Sequence, residues 1–548
     1  PSIVNNFKKD AIQEAETYGG RANLLMQAFT GKIDWRDQVA YVNDLQKITK
    51  ADVVAFANKY LGDNYVAVYK KKGERTNVEK IEKPVITPVE TNADKQSAFV
   101  KMINDMPSTP VEPLFLDYNK DIQKSKLGKA EVLAVQNKDN DLFRLSFRYK
   151  IGTFNDLKMG LAAQYIQFLG TDKKSAEQIS KEFYKIASSF RVSTGEDYTY
   201  VNIEGLQENF AAAVALYEDL VSHVKLDEEA LKSLKGRIAK SRADAKANRN
   251  QIMQALTSYA LYGAKNKYNH VLSNAELEAT SAAELVDRLK KLNDVEQTII
   301  YYGPASVSEL TKQLGKLHKV PAKFAKVPQA QQFKQETQTK NTVLFTDYEM
   351  VQAETRWVRN TDTYNPAETT TIRVFNNYFG GSMGSLVFQT IRESKALAYS
   401  TYGFYKIPTK KEDKYYMLSY VGAQADKFQE AVAAMNELLT TMPELPANFE
   451  LAKEQLKKDI QTERITQDDI IYDYLNAQRL GLKEDIRKSV YQNVDKITFK
   501  DIQAFHDKYL SKKPYTYVIL ASEKKLPQAE LQKIGEFKKL SLEELFGF

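Results

Sequence analysis

Residues 47–61 read KITKADVVAFANKYL, and residues 496–510 read KITFKDIQAFHDKYL. Nine of the fifteen aligned positions are identical without a gap. In both copies a Thr (Thr49, Thr498) stands three residues before an Asp (Asp52, Asp501). That spacing predicts a capped helix start: the hydroxyl meets orphan backbone N–H groups, and the carboxylate sits in the positive first turn. An apolar stripe follows, Val53, Phe56 and Tyr60 in one copy and Ile502, Phe505 and Tyr509 in the other. Each helix then leads into a predicted strand, Tyr65–Tyr69 and Tyr515–Leu520. A weaker third copy is expected at 281–302, where Ser281 and Glu284 open a helix before the strand Gln297–Tyr302. The chain therefore reads as copies of one α+β unit, each closing with a capped helix and a strand.

Working outward, residues 1–75 hold only the end of such a unit, and the start at Pro1-Ser2 leads to the expectation that the N-terminus is a cut. Prolines 84, 88, 107, 110 and 113 mark a linker over 76–115. A whole unit is expected over 116–311, with a hairpin of Glu131–Gln136 and Leu142–Tyr149 around Asp139-Asn140-Asp141. Helices are expected at 157–169, 175–187, 208–222 and 227–247. Residues 312–340 form a basic linker, with lysines 312, 316, 319, 323, 326, 334 and 340 and His318. It reads as a solvated connector in preference to an anion-binding patch. A last unit fills 341–548.

Composition sets the outer limits. The chain has 548 residues, 43% hydrophobic and 27% charged, with a net charge of +7. Those values suit a multidomain globular protein and exclude disordered or collagenous chains. Basic and acidic residues are interleaved, which gives no footprint for nucleic acid. No apolar run reaches the roughly 18 residues of a membrane span. There are no cysteines, so thiol nucleophiles, disulfides and thiolate metal sites are excluded. The composition suits the cytoplasm and the periplasm or cell envelope alike. The four histidines, His223, His270, His318 and His506, lie far apart, so no local zinc motif can be built from them. They are expected to be surface or helix-end residues. No P-loop, dinucleotide fingerprint or nucleophile elbow occurs.

One segment is dense in chemistry: NNYFGGSMGSLVFQTIRESKALAYSTYGF, residues 376–404. Gly380, Gly381 and Gly384 permit a tight turn, with Ser382 and Ser385 beside them. A helix carrying Leu386, Phe388 and Ile391 is expected to end in Arg392, and Tyr399 follows on a strand. A guanidinium and a phenol brought together could grip a peptide carbonyl and help stabilise an oxyanion. Helix-end arginines and strand tyrosines also serve as ordinary structural residues.

The segment GSMGSLVFQTIRESKALAYS resembles the glycine-rich region and Arg-(six residues)-Tyr signature of the pitrilysin/insulysin family. These are the inverted-motif zinc peptidases that include the mitochondrial processing peptidases. Residues 161–201 are similar to that family's zinc-binding region through Leu169-Gly170-Thr171, Ser175-Ala176, Ile179, Phe183 and Ser189-Phe190. Counting back from Gly170-Thr171, the two ligand histidines of H-x-x-E-H would fall at Leu161 and Tyr165 and the general-base Glu at Gln164. None can serve, because neither Leu nor Tyr replaces imidazole here and a neutral Gln is no base.

The resemblance implies repeated two-layer units, each an antiparallel sheet against helices. Residues 1–75 would be the tail of domain two, 116–311 a degenerate domain three and 341–548 domain four. It implies the C-terminal half of a zinc metalloendopeptidase: zinc in the complete enzyme, none in this chain, and a peptide substrate. Arg392 and Tyr399 would bind the substrate carbonyl, and Gly380, Gly381, Ser382, Gly384 and Ser385 would line the chamber. The partner would be an N-terminal zinc-bearing half or a homologous subunit, and this segment alone would be inactive. The alternative is a non-catalytic partner subunit or scaffold of a heteromer in the same family.

Overall fold

The computed structural model describes residues 2–73, 97–107, 109 and 111–548. The chain divides into two compact units, one of residues 1–22 with 113–548 and one of residues 23–112. Among the described residues no helix is long and apolar enough to cross a membrane.

The larger unit holds two six-stranded sheets built to one plan. The first contains β1 (Gln123–Leu127), β2 (Ala130–Gln136), β3 (Leu142–Tyr149), β4 (Ser189–Thr194), β5 (Thr199–Leu206) and β6 (Gln297–Gly303) in the order β1-β2-β6-β3-β5-β4. The second contains β7 (Thr342–Asp347), β8 (Gln352–Thr363), β9 (Ala398–Lys406), β10 (Lys414–Gln424), β11 (Thr516–Ala521) and β12 (Glu536–Lys539) in the order β12-β7-β11-β8-β10-β9. In both, the first long strand runs parallel to the last (β2 with β6, β7 with β11) and the other central pairs are antiparallel. The sheets are thus mixed, where the family resemblance led to antiparallel ones. Large apolar cores fill the space between each sheet and its helices, with Phe143, Phe147, Tyr165 and Tyr217 in one and Trp357, Phe375, Tyr405 and Phe505 in the other.

The expected hairpin of β2 and β3 does not form, because β6 lies between them and pairs with both. The near-continuous apolar run of β2 is the signature of a strand with neighbours on both sides. The four expected helices occur as Leu157–Tyr165, Ala176–Lys185, Phe210–His223 and Glu228–Lys246. Side chains cap three of the four starts, Asp156, Ser175 and Asp227, with a full capping box at Ser175 and Gln178. The third copy is present too: Ser281 and Glu284 cap the helix Ala282–Lys290, which feeds β6 as the helix Phe499–Tyr509 feeds β11.

Each half of this unit lends a helix to the other. Arg249–Tyr262 leaves the first sheet's region and buries Ile252, Met253 and Leu256 against Leu344 of β7, Val358 of β8 and Val518 of β11. Asp469–Arg479 does the converse, burying Ile471 and Leu475 against Leu133 and Val135 of β2 and Ile300 of β6. Residues 318–340 run between the halves. All seven lysines of the expected basic linker are exposed, but its polar residues are not all solvated. Gln335 and Gln338 are buried and hydrogen-bond Asn360 of β8, whose amide also donates to Leu261 O at 2.9 Å. His318, expected at the surface or at a helix end, caps the C-terminus of Val307–Leu317 but is buried: it stacks on Phe147 and its ring nitrogens meet Glu218 at 2.8 Å and Gln297 at 3.0 Å. His506 is buried as well, beneath the carbonyl of Leu438.

The smaller unit contains the helices Trp35–Leu45 and Lys50–Tyr60, the second with the predicted Thr49–Asp52 capping box. Its stripe behaves unlike the matching one. Phe505 is 6% exposed and Tyr509 5%, whereas Phe56 is 64% and Tyr60 53% exposed. The expected strand Tyr65–Tyr69 is not a strand, since among the described residues it has no neighbouring strand to pair with. Much of the predicted linker 76–115 lies outside the described residues, but Ala98–Asn104 within it is a helix capped by Ser97.

Candidate functional site

The helix Thr369–Phe379 packs on β9 and ends at Gly380. A Cβ on Gly380 would stand 2.8 Å from the Cα of Gly403 in β9 and closer still to that residue's N and O. Gly403 in turn has Phe379 Cε1 2.8 Å from where its own Cβ would be. Two glycines therefore allow a helix end and a strand to touch backbone to backbone. Gly380 is buried, and this close approach gives it a packing role. Ser385 is also buried, its hydroxyl donating to Ser382 O at 2.6 Å. Gly381 and Ser382 are exposed and Gly384 is half-exposed, its carbonyl accepting from Asn448 Nδ2 at 3.0 Å.

The helix that follows is wider than expected. Phe388–Ser394 is π-helical, and Arg392 lies within it instead of at its end. A π segment holds an extra residue per turn and rotates the side chains after it, a device common at functional sites. Ala396 then takes a left-handed conformation, φ +49°, and turns the chain into β9. Tyr399 falls at a bulge: Gly422 pairs with Ser400 and the next residue, Ala423, pairs with Ala398, so Tyr399 has no partner of its own. A bulge re-aims the side chain it carries. β9 is moreover the outer strand of its sheet.

These devices bring Arg392 and Tyr399 together. The guanidinium carbon stands 5.1 Å from the centre of the Tyr399 ring and 4.8 Å from that of Phe388. Glu393 lies 3.5 Å from Arg392 Nε. The side chain of Arg392 is 37% exposed and Tyr399 is 80% exposed. Cation and phenol thus share one accessible surface, with donors left over for an incoming carbonyl. Phe388 and Gly403 belong to this arrangement and were missed from the sequence. An isolated glycine within a strand pattern was the available signal for Gly403.

The positions aligned with the family's metal motif are built differently. Leu161 and Tyr165 are buried in the helix Leu157–Tyr165, and Gln164 is exposed, its amide donating to Gly160 O. The Tyr165 phenol donates to Asp227 O at 2.5 Å and accepts from Asp227 N at 2.8 Å, tying this helix to the cap of Glu228–Lys246. Burial holds that phenol above its ordinary pKa. A leucine, an amide and a neutral phenol offer zinc no adequate donor set, so these residues do not fit the metal. Among the described residues no group of three or more His, Cys, Asp or Glu is placed to hold a metal ion.

Comparisons with known proteins agree on one family. The profile described as Insulinase (Peptidase family M16) matches residues 162–275, and that described as Peptidase M16 inactive domain matches 293–456. An uncharacterized zinc protease of Bacillus subtilis, YmxG, is 27% identical over 316 residues, 54% of this chain and 71% of that protein. Among solved structures, an M16 inactive domain from Pseudomonas fluorescens superposes with a TM-score of 0.57 at 16% identity, over 73% of this chain and 98% of that one. The periplasmic protease PqqL of Escherichia coli gives 0.58 at 11% identity, over 87% of this chain but 51% of its own. The ferredoxin protease FusC, solved with Arabidopsis ferredoxin, gives 0.58 at 13% identity, over 92% and 58%.

Proposed function

This chain belongs to the insulinase family of peptidases, M16, and from that premise we propose that it is the C-terminal half of a metalloendopeptidase whose zinc site lies on polypeptide outside these residues. Its contribution is to bind a peptide or protein substrate and to polarise the carbonyl under attack. Arg392 and Tyr399 carry that role, as cation and hydrogen-bond donors aimed at an oxygen that gains charge in the transition state. Gly381, Ser382 and Gly384 flank them on the surface. The observation that carries this reading is the convergence of an accessible guanidinium and an accessible phenol, on a residue that the β9 bulge frees from the ladder, at the outer edge of the sheet.

Two further observations support a missing half. Val66 and Val68 are 90% and 89% exposed, and Phe56 and Tyr60 of the stripe are 64% and 53% exposed where their equivalents Phe505 and Tyr509 are buried. The chain matches 51% of PqqL and 58% of FusC. The test is steady-state peptide hydrolysis by the complete enzyme with Arg392→Ala or Tyr399→Phe. Each should lower kcat by about ten- to a thousandfold, the usual loss for an oxyanion donor. Unchanged turnover in both would remove the role.

A further inference from the structure

The space at the degenerate metal positions is a cleft of about 600 Å³, with Leu161 and Gln164 on one wall and the helix Glu228–Lys246 on another. Its apolar lining includes Leu234 and Phe168, and its charged lining is entirely basic, Arg237, Arg242 and Lys267, with His270 beside them. No Asp or Glu faces it. Lys267 is offset from outside the cleft by Asp413 at 3.5 Å and Glu196 at 3.8 Å. The two arginines are not offset by any Asp or Glu among the described residues. Arg242 is held by neutral acceptors, Asn274 Oδ1 and Leu272 O, both at 2.5 Å, and stacks on Phe548. Arg237 lies over the Phe168 ring at 4.4 Å, which fixes its plane and leaves its outer N–H groups free to donate.

Two planar forks without counter-charge, above an apolar floor, are complementary to a carboxylate attached to an apolar side chain. We propose that this cleft binds the C-terminal carboxylate of a peptide whose last residue is apolar. The degenerate unit has then exchanged a metal site for an anion site at the same place in the fold. The inference deepens the peptide-handling reading above, but it is tested without turnover.

The test is fluorescence anisotropy on the 548-residue chain, with a labelled peptide ending in Leu, either as the free acid or as the C-terminal amide, at low salt to limit screening. The free acid should bind at least about tenfold more tightly than the amide, the margin of a charge-assisted hydrogen bond. Arg237→Gln, at an exposed position where folding is undisturbed, should abolish that preference. Lys240→Gln, exposed on the same helix but outside the cleft, should leave it intact. Equal binding of acid and amide would overturn the proposal. So would a preference that survives Arg237→Gln, or one lost equally in Lys240→Gln, which would indicate net charge alone. A negative result leaves Arg392 and Tyr399 untouched, and inert Arg392 and Tyr399 variants would leave this binding result untouched.

Discussion

The exchange of helices between the two halves should make them unfold as one body. Ile471 is fully buried where Asp469–Arg479 covers β2 and β6 of the other half. Ile471→Ala removes side-chain carbons from a packed site that backbone elements frame on both sides, so collapse around the cavity is limited. The loss expected is about 2–5 kcal/mol. Taking roughly 3 kcal/mol and a urea m-value of roughly 3 kcal/mol per molar for a unit of this size, the midpoint falls by about 1 M. The chain has two tryptophans, Trp35 and Trp357. In a Trp35→Phe background the only indole is Trp357, buried on β8 beside Tyr517 and therefore in the half that Ile471 does not cover. Urea titration followed by this fluorescence and by far-UV circular dichroism should show both midpoints falling together. If the dichroism midpoint falls and the Trp357 midpoint stays within about 0.2 M, the halves unfold independently and the coupling argument fails.

Further outcomes follow from local geometry. Gly403→Ala should lower the thermal midpoint and loosen β9, because the added methyl meets the buried Phe379 ring and the Ser419 hydroxyl with no slack; overpacking of this kind is worth about 1–3 kcal/mol. Thr498→Ala should lose the hydroxyl of the capping box and destabilise by about 1 kcal/mol, read as a shift in urea midpoint. His506 is kept below its ordinary pKa chiefly by burial, so it folds neutral. Its contribution is whole above the unfolded pKa of about 6.5 and declines as pH falls through that value toward the folded one, because only the unfolded chain readily takes the proton. Unfolding free energies measured between about pH 7 and pH 5 should therefore fall less steeply in His506→Gln than in the parent.

Much of the plan was legible because its punctuation is local. Ser175 with Gln178, Ser281 with Glu284 and Thr498 with Asp501 announce helix starts in four residues each, and all three form full capping boxes. What escaped was non-local. The adjacency of β2 and β3 in sequence suggested a hairpin, yet no local signal records that β6, more than 140 residues later, inserts between them. β3 alternates apolar and polar residues like a strand with one wet face, yet Ser146 and Arg148 are buried. Arg148 stacks 3.5 Å from the Tyr198 ring, and Tyr472 of the lent helix covers the same face. Only knowledge that another half supplies that helix turns the pattern into a doubly covered strand. At the site, the Gly cluster and the Arg–Tyr spacing were visible, but the π-helix and bulge that bring them together were not, because both are defined by hydrogen-bond register.

The two sheets also explain how one framework holds two chemistries. In each half a helix follows the fourth strand of the sheet order, β3 or β8, and precedes the outer strand: Leu157–Tyr165 before β4, and Thr369–Phe379 before β9. Each helix is followed by a glycine whose Cβ would strike backbone, Gly170 after a 3-10 turn in the first half, against Ser175 Cα at 3.0 Å, and Gly380 directly at the helix end in the second, against Gly403. After that glycine the halves diverge. The first inserts an amphipathic helix, Ala176–Lys185, that buries Ile179 and Phe183 in its own core. The second inserts the π-helical turn, which leaves Arg392 at the surface. Core packing, through the glycine and the sheet order, is common to both halves, and each inserted segment adds its own anchors to it, Ile179 and Phe183 in the first and Leu386, Val387 and Ile391 in the second. Between those anchors Arg392 is partly exposed and can change without disturbing the core, so Arg392→Ala should leave the urea midpoint of the chain within about 0.2 M of the parent, a surface substitution being worth about 0.5 kcal/mol or less.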